Sequence, residues 1–262
     1  MVDFQRRSFL LDRAKNVTIN KQPVSAYGAF VTSEGWSIGE TKPVSAFTTI
    51  PGVMGSSNQS LTQQDGRTFL SRREITLHLA CAGDPMQVEE AMHSIGGLNG
   101  TTVRLGGLDS RGEFVGLASV GAWDVKYTLT GRPAFATTSL VVNAQPYVTG
   151  ERQAFEAYND RVSLEYEGNV VAPVEFIINR HADAGGTKTF TLYHVGHLEM
   201  VVFTATVGPG LTTATLSEAT KNISTFEFSL NTDWRAAEAV PGLNKYSCDG
   251  LVRAYVSPRW LL

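Results

Sequence analysis

Apolar and polar residues alternate in short runs along most of the chain. Glu74-Ile75-Thr76-Leu77-His78-Leu79 and Thr225-Phe226-Glu227-Phe228-Ser229-Leu230 both repeat with a period of two. That period sorts side chains onto the two faces of a strand. Read this way, the first half holds strands at 9–17, 23–32, 44–50, 73–79, 101–105, 114–124, 127–130 and 139–142. The second half holds strands at 162–166, 174–179, 187–193, 197–207, 211–216, 224–230 and 251–256. Gly106-Gly107, Asp109-Ser110-Arg111-Gly112 and Gly131-Arg132-Pro133 supply turns between them. One segment breaks the pattern. Asp84 is an N-cap, Pro85 takes the first helical position, and Val88, Ala91, Met92 and Ile95 recur at helical spacing before Gly96-Gly97.

The pattern predicts a mainly β protein of two domains, the N-terminal one carrying the single α-helix. Character changes after Pro146-Tyr147, where a mixed polar stretch contains Glu151, Arg152 and Glu156. The domains are therefore placed at 1–150 and 151–262, and the seven short strands of the second suit a sandwich. The loop 51–68 is mostly Gly, Ser, Gln, Asn and Asp. It exceeds the usual ~4–6 residues between elements, and loops of that length tend to serve a function. Its large apolar side chains are Val53, Met54 and Leu61. Ordering such an arm on its own domain costs about 1–2 kcal/mol of backbone entropy per residue. The three residues are therefore candidate contacts for a partner that orders the arm.

Composition narrows the function classes. Of 262 residues, 42% are hydrophobic, enough for globular cores. The net charge of −3, without a basic stripe, argues against a sequence-specific nucleic-acid binder. Cys81 and Cys248 form no disulfide framework and point to folding in a reducing compartment. No stretch suits a signal peptide or a membrane-spanning helix.

Each candidate for chemistry has a plainer reading. His194 and His197 are three apart in a strand–turn–strand segment, with no third ligand near in sequence. Cys81 and His93 form a possible thiol–imidazole pair without an activating motif. Glu165, Glu167 and Glu175 are the carboxylates for an acid–base pair across a sandwich. Trp36 and Trp234 sit near turns and could form a sugar platform, whereas Trp123 and Trp260 read as core. The sequons at Asn16, Asn58, Asn99 and Asn222 read as coincidence in a chain rich in Ser and Thr. No catalytic, cofactor-binding or metal-binding set emerges.

A further set of motifs carries a resemblance. Tyr27-Gly28, Ile50-Pro51-Gly52 with Gly55, Arg73-Glu74-Ile75-Thr76-Leu77, one helix, and Ala144-Gln145-Pro146-Tyr147 follow in order. Glu167-Gly168-Asn169 then precedes Ala172-Pro173-Val174-Glu175-Phe176-Ile177, and Val240-Pro241-Gly242-Leu243-Asn244 and Tyr255-Val256-Ser257-Pro258-Arg259-Trp260-Leu261 close the chain. This ordered set resembles the siphophage distal tail proteins. The resemblance implies a structural virion protein at the phage tail tip, assembled in the host bacterial cytoplasm. Its N-terminal domain would be a β-sandwich, making two β-sandwich domains in all, and would form a homo-oligomeric ring, a hexamer in most members, with DNA passing through and Val53, Met54 and Leu61 as the candidate inter-subunit arm contacts. Its C-terminal domain would be a galectin-like sandwich pointing outward. Partners would be the tail-tube protein, the tail-tip hub or tail-associated lysin protein, and receptor-binding proteins. Two readings stand beside it: a carbohydrate-binding, lectin-like sandwich, and a sandwich hydrolase. A tail-tube protein is the near neighbour within the assembly class. The two-domain division is checked by limited proteolysis, expected to cut between Tyr147 and Val162 and leave two compact fragments; a single uncut core defeats it.

Overall fold

A computed structural model describes residues 16–49, 56–58, 60, 67–129, 131–217 and 226–262. Val53, Met54 and Leu61 lie outside these described residues. The chain forms two compact units that meet in sequence at Thr149 and Gly150, and Arg67 groups with the second.

The N-terminal unit contains β1 (Thr18–Ile19), β2 (Gln22–Pro23), β3 (Phe30–Ile38), β4 (Phe47–Thr49), β5 (Ser56–Asn58), β6 (Arg73–Ala82), α1 (Pro85–Gly96), β7 (Thr102–Gly106), β8 (Phe114–Val120), β9 (Asp124–Tyr127), β10 (Pro133–Ala144) and β11 (Tyr147–Thr149). One curled antiparallel sheet runs in the order β2-β1-β7-β8-β10-β6-β3, with β9 beside the first half of β10. β6 and β10 pair without a break from Phe135–Ala82 to Ala144–Arg73. Ile75, Leu77 and Leu79 of β6 and Leu140 and Val142 of β10 are fully buried on the inward face. α1 packs across these two strands, adding Val88, Ala91 and Ile95 to the core.

The helix begins where a side chain satisfies its free amides. Asp84 Oδ1 accepts from Met86 N–H and Gln87 N–H, both at 3.1 Å, and Gln87 Oε1 accepts from Asp84 N–H at 3.3 Å. This is a capping box in front of Pro85. The strand expected at 23–32 is split: Pro23 belongs to β2 and residues 30–32 open β3, while a 3₁₀ turn, Val24–Tyr27, ending on Gly28 at φ +70°, lies between them. A Cβ at Gly28 would lie 2.9 Å from Ala91 Cβ of the helix, so only glycine brings the turn this close.

The C-terminal unit is a sandwich of two five-stranded antiparallel sheets. Its strands are β12 (Gln153–Glu156), β13 (Arg161–Tyr166), β14 (Ala172–Asn179), β15 (Gly186–His194), β16 (Met200–Val207), β17 (Thr213–Leu216), β18 (Glu227–Phe228), β19 (Glu238–Ala239), β20 (Gly242–Ser247), β21 (Leu251–Val256) and β22 (Arg259–Leu261). One sheet runs β12-β21-β14-β17 with β19 also on β14; the other runs β13-β20-β15-β16-β18. Their inward faces share one core. Phe176 of the first sheet meets Tyr246 of the second edge to face at 5.0 Å, and Phe190 stacks on Phe203 at 5.3 Å.

β20 lies outside the strands that the apolar pattern predicts, because its inward positions carry Asn244 as well as Tyr246. Asn244 is 1% exposed, yet every polar atom of its amide is engaged. Oδ1 accepts from Val240 N–H at 2.9 Å, and Nδ2 donates to the Val240 and Gly242 carbonyls at 2.7 and 2.8 Å. A buried amide satisfied by its own turn is tolerated in a core strand.

Asp84→Ala should cost about 1 kcal/mol of stability with little change in the denaturant m-value. Urea unfolding followed by circular dichroism measures it, and an unchanged midpoint would show that Gln87 and Pro85 suffice.

Candidate interaction surfaces

Three surfaces of the N-terminal unit stand out. The first is the base of the segment between Pro43 and Leu70, which are bridged. Val44 N–H donates to Phe69 O and Ser71 N–H to Lys42 O, each at 2.7 Å. Beyond this base, β4 pairs with β5, so part of the expected loop 51–68 is a strand. Val44 and Phe69 leave 56% and 49% of their surface in solvent at this base. The second surface is β3, nine residues long, at the end of the eight-stranded sheet. Its register against β6 shifts between Val31 and Trp36, which interrupts an otherwise open edge. Phe30 is 48% exposed at its start. The third is the opposite edge, β2.

In the C-terminal unit, two of the sequence motifs prove to be one structure. Tyr166 is buried; its hydroxyl donates to Val170 O at 2.5 Å and accepts from Arg259 N–H at 3.0 Å. Asn169 binds both backbone groups of Leu261, accepting from N–H at 2.7 Å and donating to C=O at 3.2 Å. Trp260 Nε1 donates to Glu167 O at 3.2 Å, and Arg67 donates to Asn169 O at 3.0 Å. A Cβ at Gly168 would overlap the Tyr166 hydroxyl. The loop 167–169 is thus a clasp around β22, and glycine is required where the tyrosine passes.

Each chemistry candidate has a definite place in the fold. Cys81 is fully buried in β6, where burial raises its pKa, while His93 lies on the exposed face of α1. Glu165 and Glu167 are exposed, and Glu175 pairs with Arg152 at 2.9 Å on the outer face of β14. Trp36 and Trp123 pack against the N-terminal core, and Trp234 packs against the C-terminal core at 5.0 Å from Phe228. Among the described residues no group of three His, Cys, Asp or Glu is placed to hold a metal ion.

His194 and His197 do come together. Their rings stack at 4.0 Å, and His194 stacks on Tyr246 at 4.6 Å. His194 is 2% exposed, and its Nδ1 has no hydrogen-bond partner. Burial lowers its pKa to about 4, helped by neighbouring His197 and opposed in part by Asn244 and Glu199. His194 ends β15 at the inward position after Phe190 and Leu192, so the alternation carries it into the core although its residue type does not suggest it.

The sequence matches no protein-family model and no curated protein. The architecture, however, superposes on the crystal structure of Dit from phage SPP1, described there as a paradigm of the hub adsorption apparatus of phages infecting Gram-positive hosts. The match covers 94% of this chain and 99% of that one, with TM-score 0.55 and 10% identity. The chain has the fold of SPP1 Dit. Two structures of the phage p2 baseplate in its activated conformation, with strontium and with calcium, also align, at TM-scores of 0.43 and 0.42 and identities of 8% and 7%. They cover 93% and 91% of this chain and 97% and 92% of theirs, at scores too low to weigh on the fold.

The buried His194 generates a pH dependence. Its folded-state pKa lies below the ordinary 6.5, so the unfolded chain binds the extra proton first. The stability it contributes is complete above about pH 6.5 and falls as pH drops toward about 4, by about 3 kcal/mol at roughly 1.4 kcal/mol per pKa unit. His194→Phe keeps the stack and should flatten that part of the curve. Denaturant unfolding of both proteins from pH 7 to pH 4 measures it; parallel curves would mean that His194 is protonated in the folded state.

Proposed function

We propose that this chain is a structural subunit of a phage tail tip, a distal-tail-type hub protein of the virion with no catalytic role. The observation that carries the reading is the correspondence of fold with SPP1 Dit over nearly the full length of both chains. The ordered motifs Tyr27-Gly28 through Trp260-Leu261 support the same assignment from the sequence side.

In this reading the N-terminal unit, 1–150, closes into a homo-oligomeric ring of six copies. Two different sheet edges, β3 and β2, suit a head-to-tail contact, because each presents unpaired backbone groups and neither need face its own copy. The ring joins the tail tube to the tail-tip hub protein and to receptor-binding proteins, and DNA passes through its lumen. A net charge of −3 keeps that passage free of strong phosphate binding. The galectin-like unit, 151–262, serves as a docking module. The arm around 51–68 reaches the neighbouring subunit and buries Val53, Met54 and Leu61. Such burial contributes about 25 cal/mol per Å² of apolar surface, which offsets the entropy of ordering the arm.

Negative-stain imaging with light scattering tests the ring: a closed oligomer is expected at micromolar concentration or on adding tail neighbours. A strict monomer that also fails to enter tails overturns the assembly role. Replacing residues 55–66 with a short Gly-Ser turn should leave the fold intact by circular dichroism and shift the oligomer toward monomer. Unchanged oligomer mass would remove the arm from the interface.

A further inference from the structure

Arg73 opens β6 and faces inward with Ile75, Leu77 and Leu79, leaving 4% of its surface in solvent. Its guanidinium lies over the Phe114 ring, 5.8 Å from the centroid. The ring's negative face compensates a cation only in part. Nε is buried without a hydrogen-bond partner. Arg104, Arg111, Arg152, Arg235 and Arg253 have carboxylate partners, whereas Arg73 has none among the described residues. An arginine does not escape this by losing its proton, and an unpaired buried charge is costly. The residue borders a cleft of about 430 Å³ whose wall is Ile38, Gly39, Glu40, Thr41 and Leu262. Gly39 N–H donates to Glu74 O at 2.7 Å, which holds that wall along the start of β6.

We propose that this cleft is a receptor for a carboxylate carried by another protein chain, an Asp or Glu side chain that enters it and accepts hydrogen bonds from the Arg73 guanidinium. A planar, singly charged group matches the guanidinium fork. Glu40 in the same wall repels a doubly charged phosphate more strongly than a carboxylate. The choice of a protein chain as carrier rests on the tail-tip reading; the carboxylate chemistry rests on Arg73 alone.

Acetate serves as the probe. In arginine-labelled protein the Arg73 Nε–H signal should shift saturably with sodium acetate and stay fixed in sodium chloride at equal ionic strength. Sodium phosphate should bind more weakly than acetate. Acetate should raise Tm in the native protein and leave Arg73→Met unaffected. Glu40→Gln should tighten acetate binding about threefold, by removing a like charge from the wall. An unmoved Arg73 signal, as a guanidinium already held by a carboxylate of the chain itself would give, overturns the site. So does a full acetate response in Arg73→Met, or phosphate binding tighter than acetate. If Arg73→Met does not fold, the native signal and Glu40→Gln carry the test. None of these readouts needs a ring, so failure to assemble and failure of the site are separate results.

Discussion

The unbroken antiparallel pairing of β6 with β10 governs the N-terminal unit. Ten residue pairs, from Phe135–Ala82 to Ala144–Arg73, fix which side chains face inward. A slip of one residue would turn Ile75, Leu77 and Leu79 to the other face and leave α1 with no surface to cover. The same register decides where Arg73 points. A strand that carries three aliphatic residues inward carries its first residue inward too, whatever its charge. The buried guanidinium is thus a consequence of the register.

Local signals made much of this legible. The Asp84-Pro85 start and the stripe of Val88, Ala91 and Ile95 give α1 directly, because capping and helical spacing act within a few residues. Strict alternation gives β6, β13 and β14. The missing parts involve residues whose partners lie far off or whose role inverts their type. β20 escapes because Asn244 sits inward, and β12 because Gln153-Ala154-Phe155-Glu156 offers one large apolar side chain. Gly28 gives no hint that Ala91 lies against it. Trp36 and Trp234 sit near turns in sequence, yet both pack against cores.

The interaction surfaces were less legible than the fold. Glu167-Gly168-Asn169 and Arg259-Trp260-Leu261 are visible as separate motifs, but only the fold brings Asn169 onto Leu261 across 92 positions. The residues singled out for contact, Val53, Met54 and Leu61, lie outside the described segments, while the β4–β5 pairing shows that the stretch around them is partly strand. An edge strand and a cleft are properties of what is not beside a residue, and a sequence records only what is beside it along the chain.

The sandwich of the second unit is closed by its ends. β12 pairs with β21 and β13 with β20, so the first strands of the unit bond to strands made some 80 to 100 residues later. The clasp around β22 completes the same closure. On a ribosome, Val162, Leu164 and Tyr166 therefore wait for their sheet partner until residue 246 and its neighbours have emerged. During synthesis this unit presents a half-built apolar face, and non-local pairing of this kind is slow. In the N-terminal unit β6, α1, β8 and β10 follow one another closely, so its central pairings wait less for distant sequence.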